Sequence, residues 1–413
     1  MNIAQKILLV LLIIIYPFHY KVTFLLILLI FCLLFLEKLY IKFSIYINGK
    51  DALFAIICFI DLSHVLFQTE LVFPLIKILL FPWILSVIFQ NYRFKNNDIS
   101  HFIYIIGITS VILSLLIFSH KGGGKFDFSI EHILNRSRQG SIFLDVGSPI
   151  GPTQLSTLAA ISFLSLIYCI RFFGGKAFII NVLLVLIALL VIVLTSSRTT
   201  WMALACSLLF TLSYNYRTFI KNLNIAKTVF CLLLIISVFY TTISIVPHDK
   251  YSEIYSRFSA YSSIYGDSSF NARLYRWSIA TDLISEKPLL GWGLGYFNLI
   301  YGSQLQTTHN EFLAHAIGVG LLGAFLWFLI YLFILKRILW LLKHYDSKLG
   351  IYFVNLFIFV VITGLTEHIS LGMYKFLNPL IWLQFGIVLG VYNQNVNVRR
   401  YRTNKSVNLT GNL

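Results

Sequence analysis

The chain has 413 residues, of which 58% are hydrophobic and 12% charged, and its mean hydropathy is +0.82. Soluble domains carry about a quarter charged residues and fewer apolar ones, so that class is excluded. The net charge of +16 raises the question of nucleic acid, which its distribution answers below.

The apolar runs approach the roughly 17 to 25 residues a helix needs to cross a bilayer, whereas barrel strands would be shorter and alternating. An all-α polytopic membrane protein of about twelve transmembrane helices follows, with both termini cytoplasmic. In chain order the expected spans are Ile7–Tyr20, Val22–Leu36, Asp51–Phe67, Leu71–Phe89, Ile99–Phe118, Thr153–Ile170, Ala177–Leu194, Thr199–Tyr214, Thr228–Val246, Glu311–Leu335, Ile351–Thr363 and Leu377–Val391. The first run leads straight into the second without a small-residue cleavage site, which predicts an anchor and not a removed signal peptide.

This pattern divides the chain into membrane spans at 1–118, a first outer loop at 119–152, spans with a joint at Arg198 at 153–246, a large outer loop at 247–310, C-terminal spans at 311–394 and a cytoplasmic tail at 395–413. Short helices are expected in the two long loops. The tail, NQNVNVRRYRTNKSVNLTGNL, is expected to be disordered.

With the N-terminus inside, the cytoplasmic joints carry Lys38, Lys42, Lys50, Arg93, Lys95, Arg171, Lys176, Arg217, Lys221, Lys227, Lys336, Arg337, Lys343 and Lys348. The short external joints carry almost none, which is the positive-inside pattern. Most of the basic excess is therefore topological, and no nucleic-acid partner is expected. Cys32, Cys58, Cys169, Cys206 and Cys231 fall inside apolar spans at unrelated spacings and read as small buried hydrophobes. No internal repeat is visible.

Long loops escape the positive-inside bias, so their cations need another reason. The first outer loop holds Lys121, Lys125, Arg136 and Arg138; the second holds Lys250, Arg257, Arg273, Arg276 and Lys287. On the same face, TSSRTTW puts Arg198 among hydroxyls between two apolar runs. A lone arginine at a span end also serves as an interfacial anchor. Its planar fork suits phosphate, and Thr199 is expected to cap a helix whose N-terminus favours an anion.

From Asn271 to Glu286 the second loop reads as a helix ending before Pro288, with Arg273 and Arg276 on one face. An amphipathic helix lying on headgroups would show the same stripe. GWGLG, at 291–295, follows no strand and reads as a tight turn, not a phosphate loop. In TTHNEFLAHAIGVGLLGAF, Thr308 and Glu311 have the spacing of a capping box, which predicts a helix returning the chain to the membrane. His309 then sits in its first turn, where the dipole disfavours imidazolium and leaves a neutral base; a purely local hydrogen-bonding role is the alternative. Ala314, Ala316, Gly318, Gly320 and Gly323 give small faces for close packing.

The SRTTW joint, ARLYRWSIATDLISEKPLLGWGLGYF and HNEFLAHAIGVGLLG, in this order, resemble the bacterial O-antigen ligase and polymerase family over about Thr195 to Phe325. The resemblance implies a multi-pass glycosyltransferase of the bacterial inner membrane with its active site facing the periplasm. Its donor would be a glycan on undecaprenyl pyrophosphate, and its acceptor the lipid A core or another lipid-linked chain. It implies catalytic roles for Arg198, Arg273 and His309, with Arg198 and Arg273 holding the pyrophosphate; Arg138, Arg276 and Asn310 are further candidates for pyrophosphate or glycan binding.

No metal or cofactor is expected: no DxD-like pair stands at the outer face, and Glu367 with His368 is too little for a metal site. Asp145, Asp267, Asp282, Glu311 and Glu367 are acidic candidates for the base. A flippase would instead place ionisable groups near the bilayer midplane, where the spans hold only Asp61, His64, Lys77 and His315.

Overall fold

The computed structural model describes residues 49–65, 81–91, 96–122, 125–126, 142–144, 148–150, 152–172, 175–195, 197–221, 268–301, 308–367 and 377–410. The expected spans Ile7–Tyr20, Val22–Leu36 and Thr228–Val246 lie outside them. The described helices are α1 (Gly49–Val65), α2 (Phe81–Asn91), α3 (Asn96–Ser119), α4 (Pro152–Cys169), α5 (Gly175–Leu194), α6 (Arg198–Lys221), α7 (Ser268–Glu286), α8 (Tyr296–Tyr301), α9 (Glu311–His344), α10 (Ser347–Gly364) and α11 (Leu377–Thr410). Among the described residues, 99–117, 177–194, 311–344 and 347–364 are helical, long and apolar enough to cross a membrane.

The described residues of the first outer loop form two short antiparallel pairs, β1 (His120–Gly122) with β2 (Lys125–Phe126), and β3 (Ile142–Leu144) with β4 (Ser148–Ile150). The tail, expected to be disordered, instead continues α11 as helix to Thr410. No proline or glycine stands between Val391 and Thr410 to stop propagation, and Gly411 comes next.

α2 packs on α11, α3 on α4, α6 on α10, and α9 on both α10 and α1. Phe54, Trp327 and Trp382 knit α1, α9 and α11 together, with ring centroids 4.9 Å apart for Phe54 and Trp327 and 5.0 Å for Phe54 and Trp382. Hydroxyl and amide groups tie the otherwise apolar helices. Ser162 Oγ donates to the Gly107 carbonyl at 2.6 Å, Asn181 Nδ2 to the Leu166 carbonyl at 3.1 Å, and Asn355 Nδ2 to Thr211 Oγ1 at 2.6 Å. Cys58 and Cys206 are half-buried in this packing, and Cys169 is buried with its Sγ donating to the Ser100 carbonyl at 3.6 Å.

Lys50, expected at a cytoplasmic joint, is completely buried. Its Nζ lies 2.6 Å from Ser86 Oγ and 3.2 Å from Asp51 Oδ1, while Trp83 Nε1 and Gln90 Nε2 donate to the same carboxylate at 3.1 and 2.7 Å. A buried charge is tolerable when paired and hydrogen-bonded in this way.

α9 is not one rod. Val319 and Gly320 leave helical geometry, with φ +69° at Gly320. A straight helix would separate Glu311 from Tyr331 by about 30 Å, yet Tyr331 Oη donates to Glu311 Oε1 at 3.1 Å. The rings of His315 and Trp327 stand 4.9 Å apart, and those of Phe312 and Tyr331 6.3 Å. Residues 311–318 therefore fold back antiparallel along 321–344, and the expected span Glu311–Leu335 is a helical hairpin in its first half.

A break of this kind orphans backbone groups, which need partners away from water. The turn after α7 supplies them. Trp292 and Gly293 N–H donate to the Ile317 and Gly318 carbonyls at 2.8 and 2.7 Å, and Leu321 N–H donates to the Pro288 carbonyl at 2.7 Å. The 291–295 segment is a tight turn, as expected, with the added task of clasping the break. Asp61 Oδ1 accepts from Leu294 N–H at 2.7 Å, and His64 Nε2 lies 3.0 Å from the Leu290 carbonyl, so these two residues near the end of α1 serve this clasp.

Candidate functional site

The site gathers at the turn before α9, the end of α10 and the starts of α6 and α7. Thr308, His309 and Asn310 form that turn. Asn310 caps α9, its side chain accepting from Leu313 N–H at 3.0 Å. The expected capping box is thus displaced: Thr308 Oγ1 instead donates to the Asn310 carbonyl at 2.9 Å, and Glu311 turns inward. Asn310, expected to bind glycan, performs a structural task here. His309 lies before the helix, with φ +49°, and not in its first turn. A positive φ in a residue other than glycine is held only by its surroundings. One such restraint is Trp277 of α7, whose Nε1 donates to the Thr308 carbonyl at 3.0 Å.

Three residues beyond α10 stands Glu367. Its Oε2 is 3.0 Å from His309 Nδ1, and its Oε1 accepts from Arg273 Nη2 at 3.1 Å. The carboxylate is 3% exposed, whereas Arg273 and His309 retain 25% and 19% exposure and can meet a ligand. An ionised carboxylate only accepts, so this bond assigns a proton to His309 Nδ1. Arg273 uses one donor of its five on Glu367.

Arg198 opens α6 and is half-buried. Ser197, and not Thr199, precedes the helix: its carbonyl accepts from Trp201 N–H at 3.1 Å and its Oγ lies 3.1 Å from Thr200 Oγ1. Thr199 instead takes a 3.1 Å bond from Thr366 Oγ1, which ties the start of α6 to the residue next to Glu367. Arg276 lies half-buried one turn along α7 from Arg273. Arg138, Asp145 and Asp267 fall outside the described residues. Asp282 is exposed on α7, and Lys287 covers the Trp292 ring at 3.7 Å, so its reason is local packing.

The hub of the site, Glu367, carries only a candidate base role in the sequence reading; its sequence signal is a lone acid just past an apolar span. The buried pair of Glu311 and His315 went unread for a different reason. Its partner Tyr331 reaches Glu311 only because α9 folds back.

With this geometry in view, the chain was compared with known proteins. Residues 182–328 match the O-antigen ligase family. The match covers the end of the chain's central spans, α6, α7, the clasp and the hairpin, and supports the O-antigen ligase and polymerase resemblance. Glu367 lies beyond the matched stretch. No curated protein matched the chain. Among the described residues no group of three His, Cys, Asp or Glu side chains is disposed to hold a metal ion.

Proposed function

We propose that this O-antigen ligase-like protein transfers a glycan from undecaprenyl pyrophosphate to the lipid A core at the periplasmic face of the inner membrane. The observation that carries the reading is Glu367 bridging His309 and Arg273, a base and a phosphate-binding group joined through one carboxylate. In this reading His309 Nε2 takes the proton of the acceptor hydroxyl, and Glu367 steadies the imidazolium that forms.

The acceptor oxygen bonds to the anomeric carbon as the bond from that carbon to the pyrophosphate oxygen breaks, and the electron pair leaves with the pyrophosphate. Arg273 and Arg198 stabilise that growing charge, most strongly at the transition state, which assigns the electrostatic work to arginine. Attack opposite the leaving group inverts the anomeric centre. A product of retained configuration, read by NMR, would overturn that step.

A strain lacking the gene tests the reaction. Ligation predicts a core without O-antigen and long chains accumulating on undecaprenyl pyrophosphate. A core bearing a single repeat unit would assign polymerisation, with a second lipid-linked chain as the acceptor. A core without O-antigen whose lipid-linked glycan is held on the cytoplasmic face would point to a flippase.

A further inference from the structure

Glu311 is 1% exposed and two residues from His309, yet no step above uses it. Three contacts define its place. Tyr331, on the long arm of α9, donates to its Oε1 at 3.1 Å. His315 Nε2 stands 3.9 Å from the same oxygen, buried, and neither of its ring nitrogens is hydrogen-bonded. On the opposite side Gly364 of α10 lies so close that a Cβ there would sit 3.1 Å from Glu311 Oε2. Gly364 is three residues from Glu367. The Glu311 carboxylate therefore touches the long arm of α9 and the end of α10 at once, between the two elements that carry His309 and Glu367.

We infer that Glu311 is a positioning residue for His309, holding the short arm of α9 in the register that brings the imidazole to Glu367. The backbone gives it leverage. The Asn310 cap fixes the turn to the first helical residues, so displacement of Glu311 carries His309 with it. At the other end of the arm the clasp holds Ile317 and Gly318, and at the near end Glu311 is the residue bonded across to the long arm. A carboxylate this deeply buried needs donors beside it; Tyr331 supplies one, and the His315 ring stands next to the same oxygen. The arginines sit on α6 and α7, so donor binding does not pass through this contact.

The inference rests on the proposed transferase reading, and the experiment separates the two. The full-length protein in membranes is given the lipid-linked glycan that accumulates in the deletion strain, with lipid A core as acceptor, and kcat and donor KM are measured per folded molecule. Glu311→Gln keeps an oxygen for Tyr331 and is expected to remain within about threefold of wild-type kcat, since a neutral acceptor retains most of such a bond. Glu311→Ala and Tyr331→Phe are expected to lower kcat, by at least tenfold for the alanine variant, with donor KM unchanged. Wild-type kcat in Glu311→Ala, or a donor KM that rises in step with the fall in kcat, overturns the positioning role. Should Glu311→Ala fail to accumulate, the comparison of Glu311→Gln with Tyr331→Phe decides: equal kcat in the two overturns it. Full activity of His309→Ala would remove the transferase reading itself, whatever Glu311 does.

Discussion

Two clusters in this protein share one device, a carboxylate divided among several donors, and differ in who can reach it. Around Asp51, Lys50 and the carboxylate are 0% and 1% exposed, and both carboxylate oxygens are taken by groups of α1 and α2. Around Glu367 the carboxylate is equally hidden, but its cationic partners are 25% and 19% exposed. The first arrangement spends its hydrogen bonds on holding helices together. The second holds Arg273 and His309 in place while leaving part of each for a visitor. Burial of the carboxylate therefore says little about purpose; exposure of its partners says a great deal.

The largest expected effect tests the exposed cluster. His309→Ala should lower transfer by about 10²–10⁴-fold, the range of a lost general base, and Arg198→Ala by about 10²–10³-fold, with both proteins present in the membrane at wild-type amounts. Normal surface polysaccharide from an Arg198→Ala strain would return that residue to the anchor role. The sealed cluster should respond in the opposite way. Asp51→Ala removes the carboxylate beside the buried Lys50 and is expected to cost about 3–5 kcal/mol of stability, read by unfolding in detergent, while turnover per folded molecule is kept. Loss of turnover at full stability would erase the distinction between the clusters.

Gly320→Ala forces a side chain onto a backbone of positive φ and extended ψ, a region essentially confined to glycine, and should cost about 1–3 kcal/mol from the backbone alone, with crowding against the clasp added to it. Thermal unfolding would measure the sum. Thr366→Val removes the bond to Thr199 and should cost about 1 kcal/mol. A larger fall in transfer than in stability would sharpen the comparison by adding the α6 contact to the exposed cluster.

Much of this was legible in the sequence because it depends on composition and local spacing. Hydropathy located α3, α4, α5 and α10 to within a few residues, since an apolar run of span length has few other uses. Spacing and the stop before Pro288 located α7. Arg273 and His309 stand out in the sequence because their residue types are costly to place without purpose, and the structure brings both to Glu367. Long-range pairing was not readable. Glu367 reaches His309 over 58 positions and Tyr331 reaches Glu311 over 20. The hairpin in α9 escaped because hydropathy registers what residues are and not the φ at Gly320. Gly318, Gly320 and Gly323 carried the hint, and read as faces for packing they described only part of what these glycines do. The pairing of Lys50 escaped for a related reason, since a lysine beside a span reads as a topological charge until a buried partner is known.

The clasp on α9 also bears on the order in which the chain is made. Its donors at 292 and 293 leave the ribosome about 25 residues before the carbonyls at 317 and 318, roughly one to five seconds earlier at 5–20 residues per second. The receiving strip is therefore already synthesised when the broken helix emerges, and α1, whose Asp61 and His64 fasten that strip, precedes both. Each layer of the fastening is present before the piece it must hold, so the break need never wait with bare carbonyls for a partner still to be translated.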